Sequence, residues 1–167
     1  MGRGTFTHSI LRPAWFMQNL SEAHLKPVDG LITVPTGNGD KAFVDADDIS
    51  AVAAATLADS DAHAGAQYAL TGPEAITVSD AANIIARVTN QPIKHHDVDR
   101  EVWIRASVAA GVPADYGDML RLLTETIASG HGSRPNDDVQ TVTGVAPTSF
   151  ADFAVRTVQA WMPREKR

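Results

Sequence analysis

The sequence predicts an α/β fold in which a sheet-and-helix part passes into a mainly helical lobe. Short strand-like stretches first alternate with segments of helical apolar periodicity and then give way to helices, the pattern of an α/β sheet flank followed by a helical layer. Hydrophobic residues at 44% against 20% charged give the chain a globular rather than a disordered composition. At 167 residues it is long enough to bury one core. We therefore read residues 1–167 as one domain, with a sheet-and-helix part over 1–90 and a helical part over 91–167.

Each element has a local reason. Residues 6–11 alternate apolar and polar side chains and end at Arg12-Pro13, which predicts a strand. Pro13 then opens a short helix through Leu20, since an N–H at that position would have no partner anyway. Residues 31–35 and 41–44 flank Thr36-Gly37-Asn38-Gly39-Asp40, the pattern of a β-hairpin or β-arm with a Gly-rich tip. That Gly-x-Gly reads as a turn, because a phosphate cradle needs a helix after the glycines and a strand is expected instead. Asp45-Ala46-Asp47-Asp48 leads into a helix over 49–58, with Asp47 as its cap and the acidic cluster at its positive end.

Residues 66–70 form a predicted strand, broken by Thr71-Gly72-Pro73. Thr77 with Asp80 approximates a capping box for a helix whose buried stripe is Ala81, Ile84, Ile85 and Val88, ending at Gln91-Pro92. A short strand over 93–98 and a helix over 101–110 follow, the latter stopped by Gly111-Val112-Pro113. A longer helix over 115–129 puts Met119, Leu122, Leu123, Thr126 and Ile127 on one face. Residues 130–138 read as a loop, 139–142 as a strand, and Ser149 caps a final helix over 150–161.

Bulk charge and residue usage narrow the chemistry. Fourteen basic against twenty acidic side chains leave a formal charge of −6, which argues against nucleic-acid or anionic-membrane partners. The absence of cysteine removes disulfides, thiolate metal sites and cysteine nucleophiles together. No apolar run reaches membrane-spanning length and no signal-peptide core opens the chain, so a cytoplasmic protein is expected. The basic tail over 164–167 reads as a solvated end. Asp45, Asp47 and Asp48 suggest a hard-metal cluster, but their spacing supplies no closing ligand and helix capping accounts for them, so no metal is expected.

Three segments, in order, carry a family resemblance. They are Ile10-Leu11-Arg12-Pro13-Ala14-Trp15-Phe16-Met17-Gln18-Asn19-Leu20, Gly39-Asp40-Lys41-Ala42-Phe43-Val44-Asp45-Ala46-Asp47-Asp48-Ile49 and Tyr68-Ala69-Leu70-Thr71-Gly72-Pro73-Glu74-Ala75-Ile76-Thr77. With Gly111-Val112-Pro113 and Gly144-Val145-Ala146-Pro147, they resemble the C-terminal half of the NmrA-like family of atypical short-chain dehydrogenase/reductases, over nearly the whole chain. The resemblance implies the last part of a Rossmann-like doubly wound sheet plus a small, mostly helical substrate lobe. It implies NAD(P)H-dependent reduction of quinones or related carbonyl or ene groups. Pro13, Ala14 and Trp15 would then border the nicotinamide end of the cofactor. No Gly-x-x-Gly-x-x-Gly turn and no adenosine-ribose segment occur in the 167 residues, so the nicotinamide end is the part of a cofactor site expected here.

Candidate site residues follow, each with a structural alternative. Trp15, Phe16 and Asn19 supply aromatic surface and one amide for a flat substrate, or pack a sheet-flanking helix. Trp103, Tyr116 and Met119 would complete a lid over that substrate, or serve the core. His95-His96-Asp97 offers a general acid or base, with His96 and Asn19 the catalytic candidates. Neighbouring strand residues face opposite ways, however, so a surface strand with one half-buried histidine is the alternative. Neither Tyr68 nor Tyr116 has a Lys four residues on, so the Tyr-x-x-x-Lys relay of ordinary short-chain dehydrogenases is missing from this stretch.

Three functions remain open on this reading: a partial oxidoreductase, a non-catalytic ligand or regulatory module, and a cofactor-independent cyclase or isomerase using Trp15, Asn19, Tyr116 and His96. An uncovered sheet edge predicts either a homodimer or docking onto a separate nucleotide-binding portion.

Overall fold

The computed structural model describes residues 7–23, 25–131 and 134–162; Phe6, His24 and the 164–167 tail lie outside them. In chain order the strands and helices are β1 (Ile10–Pro13), β2 (Leu31–Thr33), β3 (Asp40–Lys41), α1 (Ala46–Ala58), β4 (Gln67–Leu70), β5 (Ile76–Thr77) and α2 (Val78–Thr89). They continue with β6 (Lys94–His96), α3 (Arg100–Ala109), α4 (Ala114–Ala128), α5 (Asp138–Thr143) and α6 (Phe150–Arg156), and two 3-10 turns lie at Met17–Leu20 and Val158–Trp161. β1 pairs in parallel with β4, β2 in parallel with β6, and β3 antiparallel with β5. Parallel partners need long crossovers, and α1 and α2 lie within them.

Several predicted elements change identity for local reasons. The hairpin over 31–44 does not form, because β2 and β3 take different partners. The Gly-rich tip instead turns on itself, Gly39 N–H donating to Thr36 O, and Gly37 N–H donates to the Asp97 carboxylate at 2.9 Å beyond β6. Pro13 ends β1 rather than opening a helix. The chain stays extended through Phe16 because Val44 N–H donates to Trp15 O and Met17 N–H donates to Val44 O, both at 2.9 Å. Asp45, not Asp47, caps α1. The predicted strand over 139–142 lies in α5, where Val139 and Val142, three apart, share the face packed on Val44, Val52 and Leu70. The predicted final helix over 150–161 is interrupted: α6 ends at Arg156 and a 3-10 turn follows.

Other readings hold in detail. Thr77 and Asp80 form a reciprocal capping box, each side chain bonding the other's backbone N–H at 3.0 Å. Ser149 caps α6 through Asp152 N–H. In α4 the buried side is Gly117, Leu120, Thr124 and Ile127, whereas Met119 and Leu122 of the expected stripe are exposed. Two glycines set where α4 sits. A Cβ on Gly117 would come within 3.2 Å of Val108 on α3, and one on Gly39 would fall 1.9 Å from the Ile127 carbonyl oxygen. Both close approaches bring α4 down onto α3 and onto the turn before β3.

A row of aromatic rings runs through the main core. Trp15 leans on Phe43, Phe43 on Phe150, Phe150 on Phe153, and Phe153 meets Trp161 edge-on, with centroids 5.8–6.4 Å apart. Phe43, Phe150 and Phe153 are fully buried, and the row joins the segment after β1 to the C-terminal helix. Phe150→Ala should therefore destabilise by about 3–5 kcal/mol in urea unfolding, with an unchanged m-value. A loss below about 1 kcal/mol would mean that the row is not a unit of the core.

Asp48 ties α1 to the α6 approach, its carboxylate accepting from Thr148 N–H at 2.8 Å and Thr148 O–H at 3.0 Å. Burial nevertheless raises its pKa above the ordinary aspartate value, outweighing the two Thr148 bonds, which favour the anion. A folded-state pKa above the unfolded one means that the native state holds this proton more tightly. The stability it contributes is present at acid pH and is lost as pH rises through the raised value. Asp48→Asn should thus unfold at or above the parent's Tm at neutral pH, with the difference shrinking on acidification. A pH-independent difference would assign the titration elsewhere.

Candidate functional site

The strongest site is built where β1 ends. Ala14 N–H donates to Leu70 O at 2.8 Å, so the carboxyl ends of β1 and β4 stay side by side as the chain leaves the sheet. Ligands of parallel α/β sheets approach at such strand ends. Beyond Ala14, the Val44 backbone holds Trp15 and Met17, and Asn19 then enters the 3-10 turn. From the other side α4 presents Tyr116, Met119, Leu120 and Leu123, spaced i, i+3, i+4, i+7 along one helix face.

Together with Ala14, Trp15, Phe16 and Asn19 these four side chains enclose a cavity of about 470 Å³. Phe16, Tyr116 and Met119 are 39%, 44% and 42% exposed, so large apolar surface faces this cleft rather than the core. Such surface is unusual unless something covers it.

The cleft is electrically quiet. Among the described residues no Asp, Glu, Lys, Arg or His lines it, and its side-chain polar groups are the Asn19 amide, the Tyr116 phenol and the Trp15 indole N–H. Three charges on the helix pair are engaged with one another: Arg121 makes a two-pronged bond to Glu101 at 2.7 and 3.0 Å and a further bond to Asp118. That guanidinium holds the Glu101 carboxyl below the usual range, and the carboxylates raise the Arg121 pKa. A second cavity, about 510 Å³, lies over Trp161 and is rimmed by Lys26, Asp29, Gln91 and Gln159. It contains none of the expected site residues. We favour the smaller one because apolar walls with a few convergent polar groups typify small-molecule sites.

Five of the predicted binding residues, Trp15, Phe16, Asn19, Tyr116 and Met119, thus meet in one place. Trp103 does not. Its indole N–H donates to Thr33 O at 3.0 Å and its ring packs against the main core, so this side chain is not part of the cavity wall that α4 presents. Pro13 is exposed at the end of β1 and touches the cleft only through its neighbour Ala14. His96 is exposed opposite Thr33 and lies away from the cleft. His95 is half-buried with both ring nitrogens engaged, Nε2–H donating to Val34 O at 2.8 Å and Nδ1 lying 3.1 Å from Ser79 Oγ. The sequence reading missed Leu120 and Leu123 as cleft residues. Their spacing from Tyr116 was the available signal.

No protein-family profile matches the chain. It is 36% identical over 156 residues to the uncharacterized oxidoreductase YesF of Bacillus subtilis, covering 92% of this chain and 54% of that one. In fold it is similar to an NADPH-dependent quinone oxidoreductase of Escherichia coli, with a TM-score of 0.76 at 21% identity over 90% of this chain and 55% of that one. NmrA, a negative transcriptional regulator in complex with NAD, has a TM-score of 0.64 at 13% identity over 94% of this chain and 54% of that one. The chain spans about half the length of the relatives it matches. Among the described residues no helix is long and apolar enough to cross a membrane. The three resembling segments build the cleft wall, the α1 cap and the β4-to-α2 connection; these likenesses agree with the resemblance to the NmrA-like family of atypical short-chain dehydrogenase/reductases, and the solved structures show a Rossmann-like α/β fold.

Proposed function

We propose that this chain forms the substrate cleft of an NAD(P)H-dependent oxidoreductase that reduces a flat, apolar quinone, carbonyl or ene compound. One observation carries the reading: two aromatic residues after β1 face an aromatic ring and a thioether on α4 across an uncharged cleft. A planar substrate gains dispersion and apolar burial from both walls there. The Asn19 side-chain amide makes no hydrogen bond among the described residues, so it is available to hold a substrate oxygen. Tyr116 places a second donor on the opposite wall. The likeness to an oxidoreductase and a quinone oxidoreductase supports the same class.

A nicotinamide ring fits this cleft at Ala14 and Trp15, with Pro13 bordering them. Ala14 is the smallest side chain of the lining and stands at the carboxyl end of β1, leaving room for a flat neutral ring. When bound, the cofactor supplies hydride to the substrate. The chain's own residues exclude water with Phe16, Met119, Leu120 and Leu123 and orient the reacting group through Asn19 and Tyr116. Among the described residues β1 pairs only with β4, which leaves its other edge open. In this reading a nucleotide-binding portion docks along that edge, with a homodimer as the competing arrangement. The reading places the protein in the cytoplasm.

A ligand-binding module without turnover is the second reading. It is favoured by the uncharged lining, in which no described residue offers a strong acid or base beside the substrate position. Calorimetric titration of the 167-residue chain with NADPH and with menadione, a flat neutral quinone, tests both, with light scattering recording the assembly state. We expect menadione to bind in the micromolar range, about −8 kcal/mol, and Tyr116→Ala or Asn19→Ala to weaken it about tenfold. Quinone-dependent NADPH oxidation would select the enzyme, and binding without oxidation the module. Absence of menadione binding up to millimolar concentration would sink the cleft assignment.

A further inference from the structure

The wall of the cleft is held from behind by residues that do not touch it. Gln18 lies between Met17 and Asn19 in the 3-10 turn, and both ends of its side chain are used. Its Nε2 donates to Asp45 Oδ1 at 2.8 Å, and its Oε1 accepts from Ala46 N–H at 3.1 Å. Asp45 is fully buried, and the same Oδ1 caps α1 through Asp47 N–H at 3.1 Å. Its other oxygen pairs with Arg156 at the end of α6, and Arg156 also reaches Asp47 at 3.3 Å. A second tie runs parallel to the first: Trp161 Nε1–H donates to Leu20 O at 2.7 Å in the buried core.

We infer that Gln18 and Arg156 are positioning residues for the cleft, fixing the Trp15–Phe16–Asn19 wall to the C-terminal helix through the buried Asp45 carboxylate. The inference rests on the cleft assignment made above. Its physical basis is the shortness of the wall. A 3-10 turn of four residues has poor internal hydrogen bonds and no side-chain cap, so its geometry must be imposed from outside. Backbone pairing with Val44 holds Trp15 and Met17 but stops before Asn19. From Gln18 onward the anchors are the Asp45 clamp, the Trp161–Leu20 bond and the Leu25 N–H donation to Asn19 O. Arg156 is about half exposed, whereas the carboxylate it serves has no access to water. Loss of its charge would leave Asp45 buried with only neutral donors, and the lowest-cost response is for the turn to open and admit water.

Gln18→Met keeps the volume and removes both bonds without altering a cleft atom. Arg156→Met removes the cation, and Arg156→Lys restores charge but not the two-carboxylate reach. Amide hydrogen exchange is measured on the full chain alongside menadione titration. In Gln18→Met and Arg156→Met we expect Asn19 and Leu20 to exchange about tenfold faster while the α2 amides, exemplified by Ile85, hold their rates. Menadione affinity should fall about tenfold in both and recover in large part in Arg156→Lys. Uniform acceleration of all amides would reduce the clamp to general stability and overturn the inference. Unchanged exchange at Asn19, or faster exchange with unchanged menadione affinity, would overturn it as well. If the parent chain itself fails to bind menadione, the cleft assignment falls, and the exchange data alone still decide whether the clamp holds the turn.

Discussion

The Asp45 carboxylate is the interaction on which the rest of this structure depends. It is wholly buried, and its two oxygens serve three partners drawn from distant parts of the chain: the turn after β1, the first turn of α1 and the end of α6. A carboxylate in that position is tolerated only if its charge is matched and its lone pairs are occupied. Arg156 supplies the charge, while Gln18 and Asp47 supply neutral donors. Ion pairs of this kind seldom add net stability over a well-packed apolar group. What they add is geometry, because the bonds are satisfied in one arrangement only. The stabilising burial is provided beside it by the aromatic row from Trp15 to Trp161.

That division of labour explains why a chain with so little sheet holds a defined cleft. Among the described residues each of the three sheets has two strands and no strand exceeds four residues, so pairing alone would not fix the walls. One wall is set by the Asp45 clamp. The other is set by α4, whose placement depends on two glycines that admit close backbone and helix contact. Between them, among the described residues, lies a surface with no formal charge, on a molecule whose net charge is −6. A neutral planar ligand loses little hydration on entering such a space and meets apolar surface on both sides.

Much of this was legible in the sequence where local chemistry decides the outcome. The Thr77–Asp80 capping box, the Ser149 cap and the helices ended by Gly or Pro depend on neighbours within a turn, and they stand as read. The Trp15-Phe16 pair with Asn19, and Tyr116 with Met119, were picked out as cleft residues and do meet. The failures share a different cause. Residues 31–44 contain good hairpin chemistry, but Leu31 of β2 pairs with Lys94 of β6, and Asp40 and Lys41 of β3 pair with Thr77 and Ile76 of β5, all far downstream. Pairing at that range leaves no local mark. Trp103 was grouped with the cleft by proximity in sequence to Tyr116, yet its indole N–H found the Thr33 carbonyl in the core.

The misreading of α4 is the most instructive. The sequence reading set Met119, Leu122, Leu123, Thr126 and Ile127 on one face, but the helix carries apolar residues on two faces. One face, with Gly117, Leu120, Thr124 and Ile127, goes inward, and the small residue and the back-bonded Thr124 hydroxyl allow close packing there. The other face, with Tyr116, Met119 and Leu123, looks into the cleft. Periodicity reports that a face is apolar and says nothing of what covers it. Where a helix has more apolar surface than its own fold buries, the surplus points to a ligand, and here it stands opposite the one turn that the C-terminal helix reaches across the molecule to hold.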